Sequence, residues 1–156
     1  VIPATGVQTG CSESGEDGNV ALQKPSNLTS GAVQSPASAS QVVDGNRSNS
    51  CIETDSGFQY VDWTVDLGFN YAISSIFLLF KDTDHSRLRG ISVSVYLENS
   101  TWYKCYQQEG TEVDLTYIVD CHVTGSVIRV ANSRSVPVLT GYSDDAHLDL
   151  CEVEVY

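Results

Sequence analysis

The stretch Tyr60-Val-Asp-Trp-Thr-Val-Asp-Leu-Gly68 alternates apolar and polar side chains without a break. Val61, Trp63, Val65 and Leu67 share one parity, and Asp62, Thr64 and Asp66 share the other. A period of two is that of a half-buried β-strand, and Gly68 is where this one is expected to end. Downstream, Ile73–Phe80 is a largely apolar run with two isoleucines and two phenylalanines, too short to span a membrane and read as a central strand. Lys81–Arg87 is a polar loop, and Ile91–Tyr96 alternates again. Trp102–Tyr106, Tyr117–Val123 and Val127–Val130 read as further strands, and Leu148–Tyr156 as the closing one. Upstream, Asn19–Pro25 reads as a short strand stopped by proline, and Ser26–Ser40, rich in Ser, Ala and Gly, as an extended loop. Many short strands and no amphipathic helix predict an all-β domain over 19–156, an antiparallel β-sandwich. Residues 1–18 read as a linker or the end of a preceding module. In the closing strand Leu148 and Leu150 share one parity while Cys151, Val153 and Val155 share the other. A strict strand would not bury both sets, so a bulge is expected near Leu150–Glu152.

Eight basic against twenty acidic side chains leave a formal charge of −12 over 156 residues. That balance argues against nucleic acid, heparin-like polymers and anionic membranes as partners. Five cysteines, at 11, 51, 105, 121 and 151, lack the Cys-x-x-Cys spacing of zinc or redox sites. Three glycosylation sequons begin at Asn27, Asn46 and Asn99. Together with dispersed cysteines they point to an extracellular setting, and the chain reads as a processed fragment or one module of a larger secreted or membrane-anchored protein. Cys11 lies in a small, polar stretch. It is expected to pair outside the domain, or else to staple the N-terminal tail to the surface and leave another cysteine free.

The loop Ser40-Gln-Val-Val-Asp-Gly-Asn-Arg-Ser-Asn-Ser-Cys51 gathers a carboxylate, amides, hydroxyls and a tight-turn glycine. Hard cations such as calcium take six to eight oxygen ligands from loops of this kind. An ordinary polar turn uses the same Asp-Gly-Asn. For catalysis the signals are weak. Asp144-Asp145 is a candidate glycosidase pair, but dense acids in a chain of charge −12 read as solvated surface, and no nucleophile elbow, phosphate loop or His-Glu-x-x-His motif is present. A non-enzyme is expected. His122 and His147 read as surface or satisfied core histidines, and Trp63 and Trp102 as core and sheet residues.

Asn19-Val-Ala-Leu-Gln-Lys-Pro25, Val43-Asp-Gly-Asn46, Ser50-Cys51, Trp63-Thr-Val-Asp-Leu-Gly68, Arg87-Leu-Arg-Gly90 and Leu150-Cys-Glu-Val-Glu-Val-Tyr156 resemble the F-type lectins, the fucolectin family, in order and spacing. The resemblance implies a jelly roll with a structural calcium that binds fucose-containing glycans. Its calcium ligands would be Gln41 (carbonyl), Asp44, Asn46 and Ser50 from the loop, with Cys151 (carbonyl) and Glu152 from the closing strand. Its disulfides would be Cys51–Cys151 and Cys105–Cys121. The family's fucose donors are a His and two Arg. Here Glu53 stands at the His, Phe80 or Lys81 at the first Arg, and only Arg87 matches outright. Glu53, Asp55, Lys81, Asp82, Asp84, His85 and Arg87 would then line a polar pocket for a glycan or glycoprotein, or Arg87 would merely pair with Asp82 or Asp84 at the surface. The expected role is a calcium-stabilised, extracellular carbohydrate-binding module. Its alternative is a protein-interaction module of an adhesion protein or receptor that keeps the fold and abandons the sugar. Membrane recognition, as in some discoidin-like domains, is a third class that the acidity disfavours.

Overall fold

The computed structural model of the chain describes residues 18–28, 38–47 and 51–156. Its strands are β1 (Ser26–Leu28), β2 (Tyr60–Phe80), β3 (Ser92–Leu97), β4 (Trp102–Gln107), β5 (Thr116–Ser133) and β6 (Leu150–Val155), and every pairing is antiparallel. The ladder runs β1-β2-β5-β3-β4, with β6 also on β2. The two long strands make this a β-sandwich. The first half of β2 lies between β1 and the second half of β5, which continues to β3 and β4. The second half of β2 lies between the first half of β5 and β6. Each long strand therefore serves both layers, and Cys105–Cys121 ties β4 back to β5.

The alternation at Tyr60–Leu67 is realised: Val61, Trp63, Val65 and Leu67 are fully buried in one core with Ile76, Leu78, Val93, Val95, Ile128, Val130 and Val153. Gly68 does not end the strand. Register shifts between Asp66 and Tyr71, and between Ile73 and Ser75, absorb extra residues and bend β2 onward into the Ile73–Phe80 run. The two expected strands are thus one, and Tyr117–Val123 and Val127–Val130 likewise join as β5. Gly125 sits at the bend, where a Cβ would collide with the Tyr96 carbonyl and the Val95 side chain.

The N-terminal reading is corrected. Asn19–Pro25 forms turns rather than a strand, because the Asn19 carboxamide accepts from the Ala21 amide (3.1 Å) and the Lys24 amide bonds back to the Ala21 carbonyl (3.1 Å). The strand begins after Pro25, at Ser26–Leu28, inside the stretch read as loop. The end of that stretch opens a 3-10 helix, Ala39–Val43, anchored by the Trp63 indole donating to the Ala39 carbonyl (3.0 Å). The Lys81–Arg87 loop also holds a helical turn, α1 (His85–Leu88). Trp102 is a sheet residue, the first of the edge strand β4, and is 41% exposed with the Arg129 guanidinium 4.0 Å from its ring centroid. Trp63 is core, as read.

The bulge in the closing strand is present. Phe80 pairs with Leu150 and Leu79 with Glu152, so Cys151 is the unpaired extra residue. Both parities of β6 are nonetheless buried, because the 3-10 helix covers the strand. Among the described residues no helix is long and apolar enough to cross a membrane.

Candidate functional site

The loop 38–47 docks on β6. Gly45 donates its amide to Glu152 Oε2 (2.9 Å), and Arg47 grips Glu154 through Nε (3.0 Å) and Nη2 (2.6 Å) while lying over the Phe77 ring. Of the residues expected around calcium, Gln41 has its side chain spent on the Ser38 amide (2.9 Å), so only its carbonyl is left for a cation. Asp44 receives the Asn46 amide (2.9 Å) and meets the Glu152 carboxyl. Cys151, at the bulge, is disulfide-bonded to Cys51, and Cys105 to Cys121, as the resemblance implies. Ser50 and Cys11 lie outside the described residues.

These residues fit a hard cation. Glu152 is fully buried, yet its Oε1 has no hydrogen-bond partner, an arrangement that costs free energy unless something cationic completes it. Burial pushes the Glu152 carboxyl up to about 8, and the adjacent Asp44 adds to the effect. Among the described residues no three or more His, Cys, Asp or Glu side chains converge on a metal position. A cation here would take two carboxylates and depend on carbonyl and amide oxygens for the rest.

The second cluster is built where three segments meet. Residues 52–54 pair with 148–150, the Ile52 amide to the Leu150 carbonyl (2.9 Å) and the Leu148 amide to Thr54 Oγ1 (2.9 Å). The Lys81 amide then donates to the Asp149 carbonyl (2.9 Å). This brings Glu53 beside Lys81, and the two side chains form a partly exposed ion pair. Arg87 does not pair with Asp82 or Asp84. It holds Asp149 through Nε (2.8 Å) and Nη2 (2.7 Å), and Asp149 is 1% exposed. That bond holds the Arg87 guanidinium above its ordinary pKa. Asp84 instead caps α1, accepting from the Ser86 amide (3.0 Å) and hydroxyl (3.0 Å), which lowers its own pKa. Asp82 and His85 are an exposed pair 3.8 Å apart, and Asp55 is half-buried and takes no part in these bonds. The structure thus pairs Glu53 with Lys81, links Arg87 to them only through Asp149, leaves Asp82 and His85 exposed, and gives Asp84 a structural task.

Three residues here, Asp149, Asn132 and Arg134, escaped the sequence reading. Asp149 is hidden between Leu148 and Leu150. His147 is a satisfied core histidine, one of the two readings its sequence setting offers: it is 5% exposed, its Nδ1 lies 3.3 Å from the Thr54 carbonyl, and burial, then Arg87, lowers its pKa. Asn132 bonds the carbonyls of Arg87 (3.2 Å) and His147 (2.9 Å), and Arg134 contacts Asn132 (2.9 Å). Only their distance in sequence concealed them.

A family model described as NedA-like, galactose-binding domain matches residues 41–130. The chain belongs to the NedA-like galactose-binding domain family, of F5/F8 type C. A search of curated protein sequences finds no match. Among solved structures, this NedA-like chain is similar to the lectin domain of lectinolysin complexed with Lewis B antigen (20% identity, TM-score 0.70, covering 88% of this chain and 95% of that one). It is also similar to a fucolectin from Morone saxatilis (striped bass) serum (23% identity, TM-score 0.69, covering 88% and 47%). A third is chitosan-binding module 1 of a chitosanase/glucanase from Paenibacillus sp. IK-5 (20% identity, TM-score 0.68, covering 88% and 98%). These likenesses agree with an F-type lectin-like sandwich.

Proposed function

We propose that this chain is an extracellular, non-catalytic glycan-binding module whose ligand surface is the Glu53–Lys81–Arg87 patch. The observation that carries the reading is the exposed Glu53–Lys81 pair beside a locked guanidinium. Nε and Nη2 of Arg87 are committed to Asp149, which leaves the other terminal nitrogen to donate outward. Glu53 accepts and Lys81 donates, a set that reads adjacent sugar hydroxyls. An exposed pair of this type contributes only about 0–1 kcal/mol, so a ligand displaces it cheaply. The ligands named for two of these neighbours, Lewis B antigen and chitosan, support a glycan as partner. The fucose donors that the F-type lectin resemblance implies are largely replaced here, and membership of a galactose-binding family favours a neutral galactose-like hexose as the first sugar to test.

Calcium belongs to the proposal as a structural ion. Asp44, Asn46, Glu152 and the carbonyls of Gln41 and Cys151 would hold it, with Ser50 completing the set. The two disulfides and three sequons support an extracellular setting. A glycan array in calcium buffer tests the reading: selective galactoside or fucoside binding, lost in Lys81→Ala, is expected. Absence of any sugar binding under multivalent display would favour the protein-interaction reading, in which Glu53 and Lys81 serve only each other.

A further inference from the structure

The hairpin between β3 and β4 carries the sequon Asn99-Ser-Thr101, which the ligand patch does not use. Its turn closes through the Ser100 amide on the Leu97 carbonyl (2.9 Å) and the Leu97 amide on the Thr101 carbonyl (2.8 Å). Asn99 Oδ1 accepts from the Thr101 amide (3.2 Å) and the Thr101 hydroxyl (2.6 Å). Both bonds fall on the oxygen, so Nδ2 has no partner among the described residues, and residues 98–101 are all exposed. Tyr96 and Trp102 are the cross-strand pair beside this tip, with ring centroids 5.2 Å apart, and Trp102 leaves much of its ring uncovered. The other two sequons are placed differently. Asn27 lies in β1, extended opposite Thr64, and Asn46 lies in the loop assigned to the cation. An extended strand sets residues i and i+2 about 7 Å apart, so it does not fold a sequon hydroxyl back onto the Asn carboxamide.

We infer that Asn99 is a glycosylation site whose first sugar ring packs on the Tyr96–Trp102 pair. Sequons are modified on surface loops of secreted chains, and this one presents a free amide nitrogen at a hairpin tip. Nδ2 displaces the diphosphate from C1 of a polyprenyl-diphosphate-linked oligosaccharide. The Nδ2–C1 bond forms, the C1–O bond breaks with its electron pair leaving on the diphosphate, and Nδ2 gives up one proton to solvent. Tyr96 stands three residues before Asn99 at the base of the same turn, where an aromatic face meets the C–H face of the first ring. The six residues of β3 put about 20 Å of strand between this tip and the end that carries Arg87, so the glycan leaves the Glu53–Lys81 pair uncovered. The inference rests on the extracellular setting proposed above and not on sugar binding at that pair.

The test is secretion of the full chain from eukaryotic cells, then peptide mass spectrometry after peptide-N-glycosidase in heavy-oxygen water. Asn99 is expected to be recovered as labelled aspartate, and Asn99→Gln to lose that glycan; the side chain is exposed, so this variant keeps the fold. Tryptophan fluorescence reads the packing. Trp63 is fully buried, so acrylamide quenching reports Trp102, the chain's other tryptophan. The glycosylated protein is expected to be quenched about twofold less than Asn99→Gln or the enzymatically deglycosylated protein, because the sugar covers the ring. A bare Asn99 in secreted protein with both disulfides formed would overturn the inference and leave the extracellular setting standing. Modification with equal quenching would also overturn it. Retention of a reduced, unmodified chain in the cell would remove both. Sugar titrations at the Glu53–Lys81 patch can fail without moving either result.

Discussion

Arg87 and Asp149 are the residues on which the ligand end of the molecule turns. The carboxylate is buried and the guanidinium is its counter-charge. Truncating one partner of such a pair strands the other, so Arg87→Ala is expected to lower stability by about 3–5 kcal/mol. Urea melts check this, and adding Asp149→Asn is expected to recover part of the loss. His147 adds a pH dependence. Burial and Arg87 hold its folded pKa below the ordinary value, against the opposing pull of the Thr54 carbonyl, Asp149 and Asp145. The unfolded chain protonates near 6.5 while the folded state stays neutral, so stability is lost as pH falls through that region. His147→Gln is expected to flatten the stability slope between about pH 7 and 5. An unchanged slope would refute that role. At this scale the sequence exposed Glu53, Lys81 and Arg87, because they follow recognisable motifs. Their true partners are legible only in space, since Asp149 lies 62 residues from Arg87.

At the scale of elements, the loop 38–47 and β6 form one unit, closed by Gly45–Glu152, Arg47–Glu154 and the Cys51–Cys151 bond. That disulfide spans 100 residues, and removing it as a Cys51→Ser/Cys151→Ser pair is expected to cost roughly 4–5 kcal/mol on the chain-entropy model. The Cys105–Cys121 bond spans 16 and is expected to contribute about 3. Thermal melts of the two double variants compare them. If the cation is part of this unit, chelation lowers the melting temperature, and Asp44→Ala reproduces most of that loss; no change in either would remove calcium from the account. The bend of β5 has its own test. Gly125→Ala forces a methyl against the Tyr96 carbonyl and is expected to destabilise by about 1–3 kcal/mol. Alternation revealed β2 and β3, and the parity break revealed the bulge at Cys151. Periodicity did not show that two apolar runs form one bent strand, because a bulge interrupts the pattern without ending the ladder. It also missed the turns at Asn19–Pro25, where a side-chain amide outcompetes the strand.

For the whole molecule, the fold class followed from pattern alone, since strands of period two without an amphipathic helix leave few architectures. The sites depended on topology: α1 and the segment before β6 bring residues from both halves of the chain to one end of the sandwich. There the Lys81 amide bonds the Asp149 carbonyl, which links the Glu53–Lys81 pair to the Arg87–Asp149 pair. The central claim is that the Glu53–Lys81–Arg87 patch binds sugar. Calorimetric titration of the intact chain in calcium with methyl galactoside and methyl fucoside, alongside Lys81→Ala, measures it directly. The account predicts saturable binding that weakens about tenfold or more in Lys81→Ala without loss of fold. Equal binding by the variant, or none by either protein even to a multivalent glycan surface, would contradict it.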